Sequence, residues 1–140
     1  MKKGQGKRNG VLPQWGGKPM SIQEIMAYCM QKPGAYQDCP FGPEPVCIRV
    51  EKRIFAEIFL TRPWITLKCE PVQGLAWRET FPEQVRRGWH CPPVQQPYHN
   101  TVTLDGVISK ELLQMMMDHS YARAVKSLSK TAQRRLQKDE

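Results

Sequence analysis

At 140 residues and 40% apolar composition, the chain can bury one core without metals or disulfides, and its five cysteines, odd in number and without a CxxC pair, speak against a bridged secreted scaffold. No run of about 18 apolar residues is available for a membrane span and residues 1–19 are too polar for a secretory signal, so a cytoplasmic protein without membrane attachment is expected. The net charge of +8 sits at the ends, with five cations and no acid in residues 1–18 and six cations in residues 123–138, which leaves residues 19–122 at −1; a polyanion would meet the two basic extremities first, through salt-sensitive phosphate contacts.

Residues 1–19 lack apolar periodicity and read as a flexible basic tail. Folding begins at Met20. Ser21 and Glu24 form a capping box, and Ile22, Ile25, Met26 and Cys29 recur with helical spacing until Pro33 and Gly34 stop the helix. A loop rich in Pro and Gly follows, including Asp38, Pro40, Phe41 and Gly42, where Asp38 can bond the backbone two residues on and Gly42 can take a positive φ. A pocket beneath that loop is one option.

Three alternating segments come next. Val46, Ile48 and Val50 share one face of the first, and Ile54, Ala56, Ile58 and Leu60 share one face of the second, with Glu51, Lys52 and Arg53 as the hairpin turn between them. The third puts Ile65, Leu67 and Cys69 on one side and Trp64, Thr66 and Lys68 on the other. Pro71 opens a short second helix through Val72, Leu75, Ala76 and Trp77 to about Thr80, although Gly74 weakens it. A strand over residues 87–91, a loop with Pro92, Pro93 and Pro97, and a strand over residues 100–104 form a second hairpin. From the N-cap Ser109, a last helix carries Leu112, Leu113, Met116, Met117, Tyr121, Ala124 and Leu128 on one stripe.

The order is α-β-β-β-α-β-β-α. Each apolar stripe must find a sheet face, so the fold class predicted is α+β, a two-layer sandwich with an antiparallel sheet and helices on one face. The division expected is a tail over residues 1–19 and one domain over residues 20–138.

Several pieces, in this order, resemble the MmcQ/YjbR family. They are Pro33 and Gly34 after the first helix, DCPFG at residues 38–42, Phe55 and Ala56, LKCEP at residues 67–71, and Gly88, Trp89 and His90. NTVTLDG at residues 100–106 and DHSY at residues 118–121 complete the set, which spans roughly residues 20–138. The resemblance implies the same element order, a CyaY-like or secretion-chaperone-like fold, and a DNA-binding role through hairpins likened to a double wing. It supplies no active site. Between His90 and Asn100 the chain departs from the family pattern, with CPPVQQPYH longer, uncharged and Pro-rich in place of a compact segment bearing a Lys and an aromatic residue.

The nucleic-acid contacts expected are Lys52, Arg53, Arg62, Lys68, Arg86 and Arg87, which stand at turn tips and polar strand faces and would position phosphates without reading bases. Solvated turn tips are the commoner use of such residues. Trp64 could stack on an unpaired base, but packing beneath a loop or helix is the ordinary role of an aromatic on a sheet. His90, Cys91 and His99 lack the tight paired spacing of a zinc site, and neighbours on a strand point to opposite faces, so neither a metal nor a Cys–His dyad is expected. Asp118, His119 and Ser120 are adjacent on a helix and diverge by about 100° per residue, which excludes a triad. Met115 lies off the apolar stripe and is free to face a partner. No phosphate loop, carboxylate pair or zinc-protease helix is present, so the reading is a non-catalytic protein without cofactor whose partner is DNA. The alternatives are a protein-interaction or chaperone-like adaptor, and a ligand or metal site at the loop from His90 to His99.

Overall fold

The computed structural model describes residues 19–138. Its first helix, α1 (Ile22–Met30), starts on the capping box: Ser21 Oγ accepts from the Glu24 amide at 3.0 Å and the Glu24 carboxylate accepts from the Ser21 amide at 2.8 Å. Gly34, at φ 75°, turns the chain into β1 (Ala35–Asp38), a short edge strand that was expected to be loop. Its sequence AYQD shows no apolar alternation because both its faces are largely exposed.

The strands β2 (Val46–Val50), β3 (Arg53–Ile58), β4 (Trp64–Lys68), β5 (Val85–Arg87) and β6 (His99–Thr103) complete a six-stranded sheet, wholly antiparallel, in the order β1-β2-β3-β4-β6-β5. The β2–β3 hairpin turns on Glu51 and Lys52, both at positive φ (48° and 73°) as a tight two-residue turn requires. The fourth strand, expected over residues 87–91, runs instead over Val85–Arg87, because Trp89 and His90 lie in a turn with His90 at φ 63°; the alternation of faces expected for His90 and Cys91 therefore does not apply.

One irregularity in β3 matters more than its size. Ile48 pairs with Ala56 but Arg49 pairs with Ile54, so Phe55 is left opposite no residue of β2. This bulge turns both Phe55 and Ala56 into the core and moves Ile54 to the other face. The expected stripe of Ile54, Ala56, Ile58 and Leu60 is corrected accordingly: Ala56 and Ile58 are buried, Ile54 is half-buried and Leu60 is exposed.

Helix α2 (Pro71–Thr80) begins as expected at Pro71 and is capped by Glu70, whose carboxylate accepts from the Gln73 amide at 2.9 Å. Gly74 is not a weakness there. A Cβ at that position would sit 2.4 Å from Cys69 Sγ, so the missing side chain is what lets the helix approach β4. Helix α3 (Lys110–Lys126) starts on Ser109, whose Oγ accepts from Leu112 at 3.1 Å, and lies across β3 and β4.

No helix is expected beyond Leu128, but the chain breaks after α3 and resumes as α4 (Lys130–Lys138). Ala132 and Leu136 are buried there, with Leu136 packed close over Gly34 and within the core cluster that holds Val50. Only two apolar side chains in nine residues show that helix, which is why its sequence reads as a charged tail. The N-terminal tail expected over residues 1–18 lies outside the described residues. All four helices pack on one sheet face, so the core forms between that face, α1 and α3.

Candidate functional site

The helix-free face of the sheet carries the polar members of each alternating strand. Arg49 and Ile54 from the bulged hairpin, Glu57 from β3, and Thr66 and Lys68 from β4 project there. Two loops stand over them. Residues 39–45 form one wall, held by Glu44, whose carboxylate accepts from the amides of Leu60 (2.8 Å) and Thr61 (2.9 Å) and from the Thr61 hydroxyl (2.7 Å). Residues 88–99 form the other, held by the Trp89 amide donating to Thr101 Oγ1 (2.8 Å), the Gly88 amide to His99 O (3.0 Å) and the Cys69 amide to Tyr98 O (2.8 Å). A Cβ on Gly88 would lie 2.6 Å from Cys91 Sγ, so that glycine sets how closely the second loop folds down.

Between the loops lies an open cleft of about 640 Å³, bordered by Phe41, Phe59, Trp89 and Pro92. Glu57 and Lys68 meet on its floor. Glu57 faces Thr66 across the β3–β4 ladder, which places Lys68 on the diagonal, on the same face. Burial raises the Glu57 carboxyl above its ordinary value despite Lys68, and burial lowers the Lys68 ammonium, with Arg53 adding to that.

Of the expected contact residues, Lys52, Arg53 and Lys68 are brought together at this cleft. Arg62 and Arg86 belong to an aromatic cluster on the same face. Trp64 packs edge-on against Phe59 and Trp89, at ring-centre separations of 5.9 and 5.3 Å, so it is packed in place, as an aromatic on a sheet usually is. The Arg62 guanidinium lies 4.9 Å from the Trp64 ring and 4.7 Å from Trp89, while Arg86 lies 4.3 Å from Trp64 and donates to Thr103 Oγ1 at 3.1 Å. Arg87 is exposed at the edge and does not line the cleft. Asp38 does not bond its own loop; its carboxylate accepts from Arg49 Nε at 2.9 Å. Glu57 was missed, and the signal for it was present: a single acid in an alternating strand, opposite Thr66 and Lys68 in the neighbouring one.

His90, Cys91 and His99 all border the cleft, but no group of three metal-ligating side chains gathers among the described residues. The His99 ring donates from Nδ1 to Gln95 O at 3.0 Å, and burial lowers its pKa. Burial raises the Cys91 thiol, which disfavours the thiolate a nucleophile needs.

The DHSY segment is structural throughout. Asp118 accepts from the Tyr28 hydroxyl at 2.7 Å and pairs with Lys32; His119 Nε2 accepts from the Glu70 amide at 3.0 Å. Ser120 donates to Phe55 O and accepts from the Lys68 amide at 2.8 Å, filling the gap that the bulge leaves between β3 and β4. The Tyr121 hydroxyl donates to Pro33 O at 2.7 Å and its ring meets Phe55 edge-on. Asn100, likewise, donates to Gly74 O (3.1 Å) and accepts from Arg78 (2.7 Å), while Thr101 shares a hydrogen bond with Thr66 (2.7 Å).

These locking residues fall within the span matched by a family model described as YjbR, residues 30–123, from the end of α1 into α3. The chain belongs to the YjbR family. The uncharacterized protein YjbR of Escherichia coli, from strains K12 and O157:H7, is 32% identical over 111 residues, covering 78% of this chain and 91% of that protein. A crystal structure of a Deinococcus radiodurans protein superposes with a TM-score of 0.78 at 24% identity, over 86% of this chain and 91% of its own. One from Pseudomonas syringae does so at 0.62 and 17% identity, over 75% of this chain and 99% of its own. Both share the fold. No helix among the described residues of this YjbR-family chain is long and apolar enough to cross a membrane.

Proposed function

We propose that this YjbR-family protein is a non-catalytic nucleic-acid-binding module that meets its ligand on the helix-free face of the sheet. The observation that carries the reading is the meeting of Lys52, Arg53 and Lys68 at one apolar-walled cleft, with the exposed Arg62 held beside it on two tryptophans. Cations at a concave rim supply phosphate contacts, and aromatic walls supply surfaces for unpaired bases. The basic ends add attraction that carries no sequence information.

The test is binding of labelled single strands and duplexes by the full chain between about 50 and 200 mM salt. Phosphate contacts by Lys52, Arg53 and Arg62 on a single strand predict a slope of log affinity against log salt of about −2, at roughly 0.7 per contact. The Lys52→Glu, Arg53→Glu double variant is expected to flatten that slope. Unchanged affinity in the variant, with binding lost on removal of residues 1–18, would move the contact off the sheet.

The adaptor reading has its own support. Val72 and Leu75 on α2 and Tyr98 in the adjoining turn leave apolar surface exposed, and Met115 is 61% exposed on α3. A full chain that binds no nucleic acid even at low salt would favour it.

A further inference from the structure

The floor of the cleft holds two opposite charges in an unusual state. Glu57 and Lys68 are each half-buried, face the same space, and stand diagonally across neighbouring strands. The ion pairs of the described residues are Lys32 with Asp118, Arg49 with Asp38, and Arg135 with Glu51, and neither floor residue's side chain has a hydrogen bond or ion pair to another described residue. Charges removed from water are ordinarily paired, because an unpaired one costs several kcal/mol. A carboxylate and an ammonium held side by side, apart and partly dry, form a template of two acceptors beside one donor.

We infer that the cleft takes a guanine base, its Watson–Crick edge set between Glu57 and Lys68, which makes the nucleic acid of the proposed function an unpaired one. Guanine presents two adjacent N–H donors, at N1 and N2, next to the carbonyl O6. The Glu57 carboxylate accepts from both N–H groups and the Lys68 ammonium donates to O6. No other base fills that template: adenine and cytosine each place one amino group beside a ring-nitrogen acceptor, and uracil and thymine place one N–H between two carbonyls. Aromatic rings border the cleft on both loops: Trp89 and His90, with ring centres 3.7 Å apart and planes tilted 58° to each other, and Phe41, 66% exposed. A volume of about 640 Å³ is in the range of about 300–1,000 Å³ usual for small-ligand sites, ample for a nucleotide and too small for a duplex. Lys52 and Arg53 border the same cleft and supply cations for the phosphate.

The inference rests on the nucleic-acid reading for its source of guanine, and a free guanine nucleotide has the same edge. Two arms separate these. In the first, the full chain is titrated with GMP, AMP, CMP and UMP, following tryptophan fluorescence. In the second, it is titrated at 50 mM salt with unstructured oligothymidylate carrying one central dG, dA or dC, and with the matching duplexes. A preference for GMP and for the dG strand of about tenfold or more is expected, as one bidentate base contact gives, with the duplex form of the dG strand losing it. Glu57→Gln, which keeps shape but replaces one acceptor with a donor, is expected to abolish the preference, and Lys68→Met to weaken it; unfolding midpoints confirm that both variants fold. Equal affinity for the four bases, or a guanine preference that survives Glu57→Gln, overturns the inference. Salt-sensitive strand binding without base preference overturns it while leaving the proposed function standing. GMP binding that depends on Glu57, with no binding of any strand, supports the guanine site and removes the nucleic-acid reading.

Discussion

Asp118, His119, Ser120 and Tyr121 are neighbours in α3, yet each reaches a different part of the molecule: α1, the cap of α2, the β3–β4 gap and the bend before β1. Helical geometry alone predicts that divergence, which is why a catalytic triad could be rejected from the sequence while the four partners could not be named. Ser120→Ala leaves the Phe55 carbonyl and the Lys68 amide without a partner and is expected to cost about 2–3 kcal/mol in urea unfolding. His119 gives a pH signature. Its pKa is lowered, by burial first and then by Arg123, while Nε2 must stay unprotonated to accept from Glu70. Stability from this contact is therefore complete above the unfolded value of about 6.5 and is lost as pH falls through the lower folded value. Thermal unfolding across pH 4–8 should show a steeper decline in the native chain than in His119→Ala, where the lowered His99 still contributes, and that variant is expected to be about 1–2 kcal/mol less stable at pH 8.

The elements divide into those whose periodicity declares them and those whose partners do. α1, β2, β4, β6 and α3 were legible because apolar spacing, caps and alternation agree; α1 even keeps both halves of its capping box. β1 and α4 were not, since an edge strand with exposed faces and a helix buried through Ala132 and Leu136 alone carry too little apolar signal. The bulge at Phe55 was also invisible, because one extra residue shifts the burial of a strand without changing its composition. At α2, Gly74→Ala should gain about 1 kcal/mol of helix propensity but lose about 1–3 kcal/mol to overpacking on Cys69. The net loss is expected to shrink in a Cys69→Ala background, a coupling that a double-mutant cycle measures. At α4, Leu136→Ala is expected to cost about 2–3 kcal/mol, and a chain ended at residue 128 should unfold at lower urea than one ended at residue 138.

For the molecule as a whole, charge and fold turn out to be less separate than the sequence indicates. The near-neutral body hides a local basic cleft, because Lys52, Arg53 and Lys68 come from a turn and two strands that only the sheet register brings together. That cleft also holds an acid, Glu57, which the fold keeps at a cost. Burial raises the Glu57 carboxyl above its ordinary 4.5, so the native state keeps its proton to higher pH than the unfolded chain does. The destabilisation is absent below that ordinary value and grows as pH rises through the raised one. Glu57→Gln should accordingly raise the melting temperature at pH 8 and leave it nearly unchanged at pH 4, the signature of a residue retained for something other than stability.

The Ser120 bridge has one last consequence. Lys68 offers its side chain to the cleft at the front of the sheet while its amide proton is held from behind by α3. A ligand that touches the Lys68 side chain is therefore expected to shift the resonance of that one amide, and a titration in which the resonance stays still would place the ligand elsewhere.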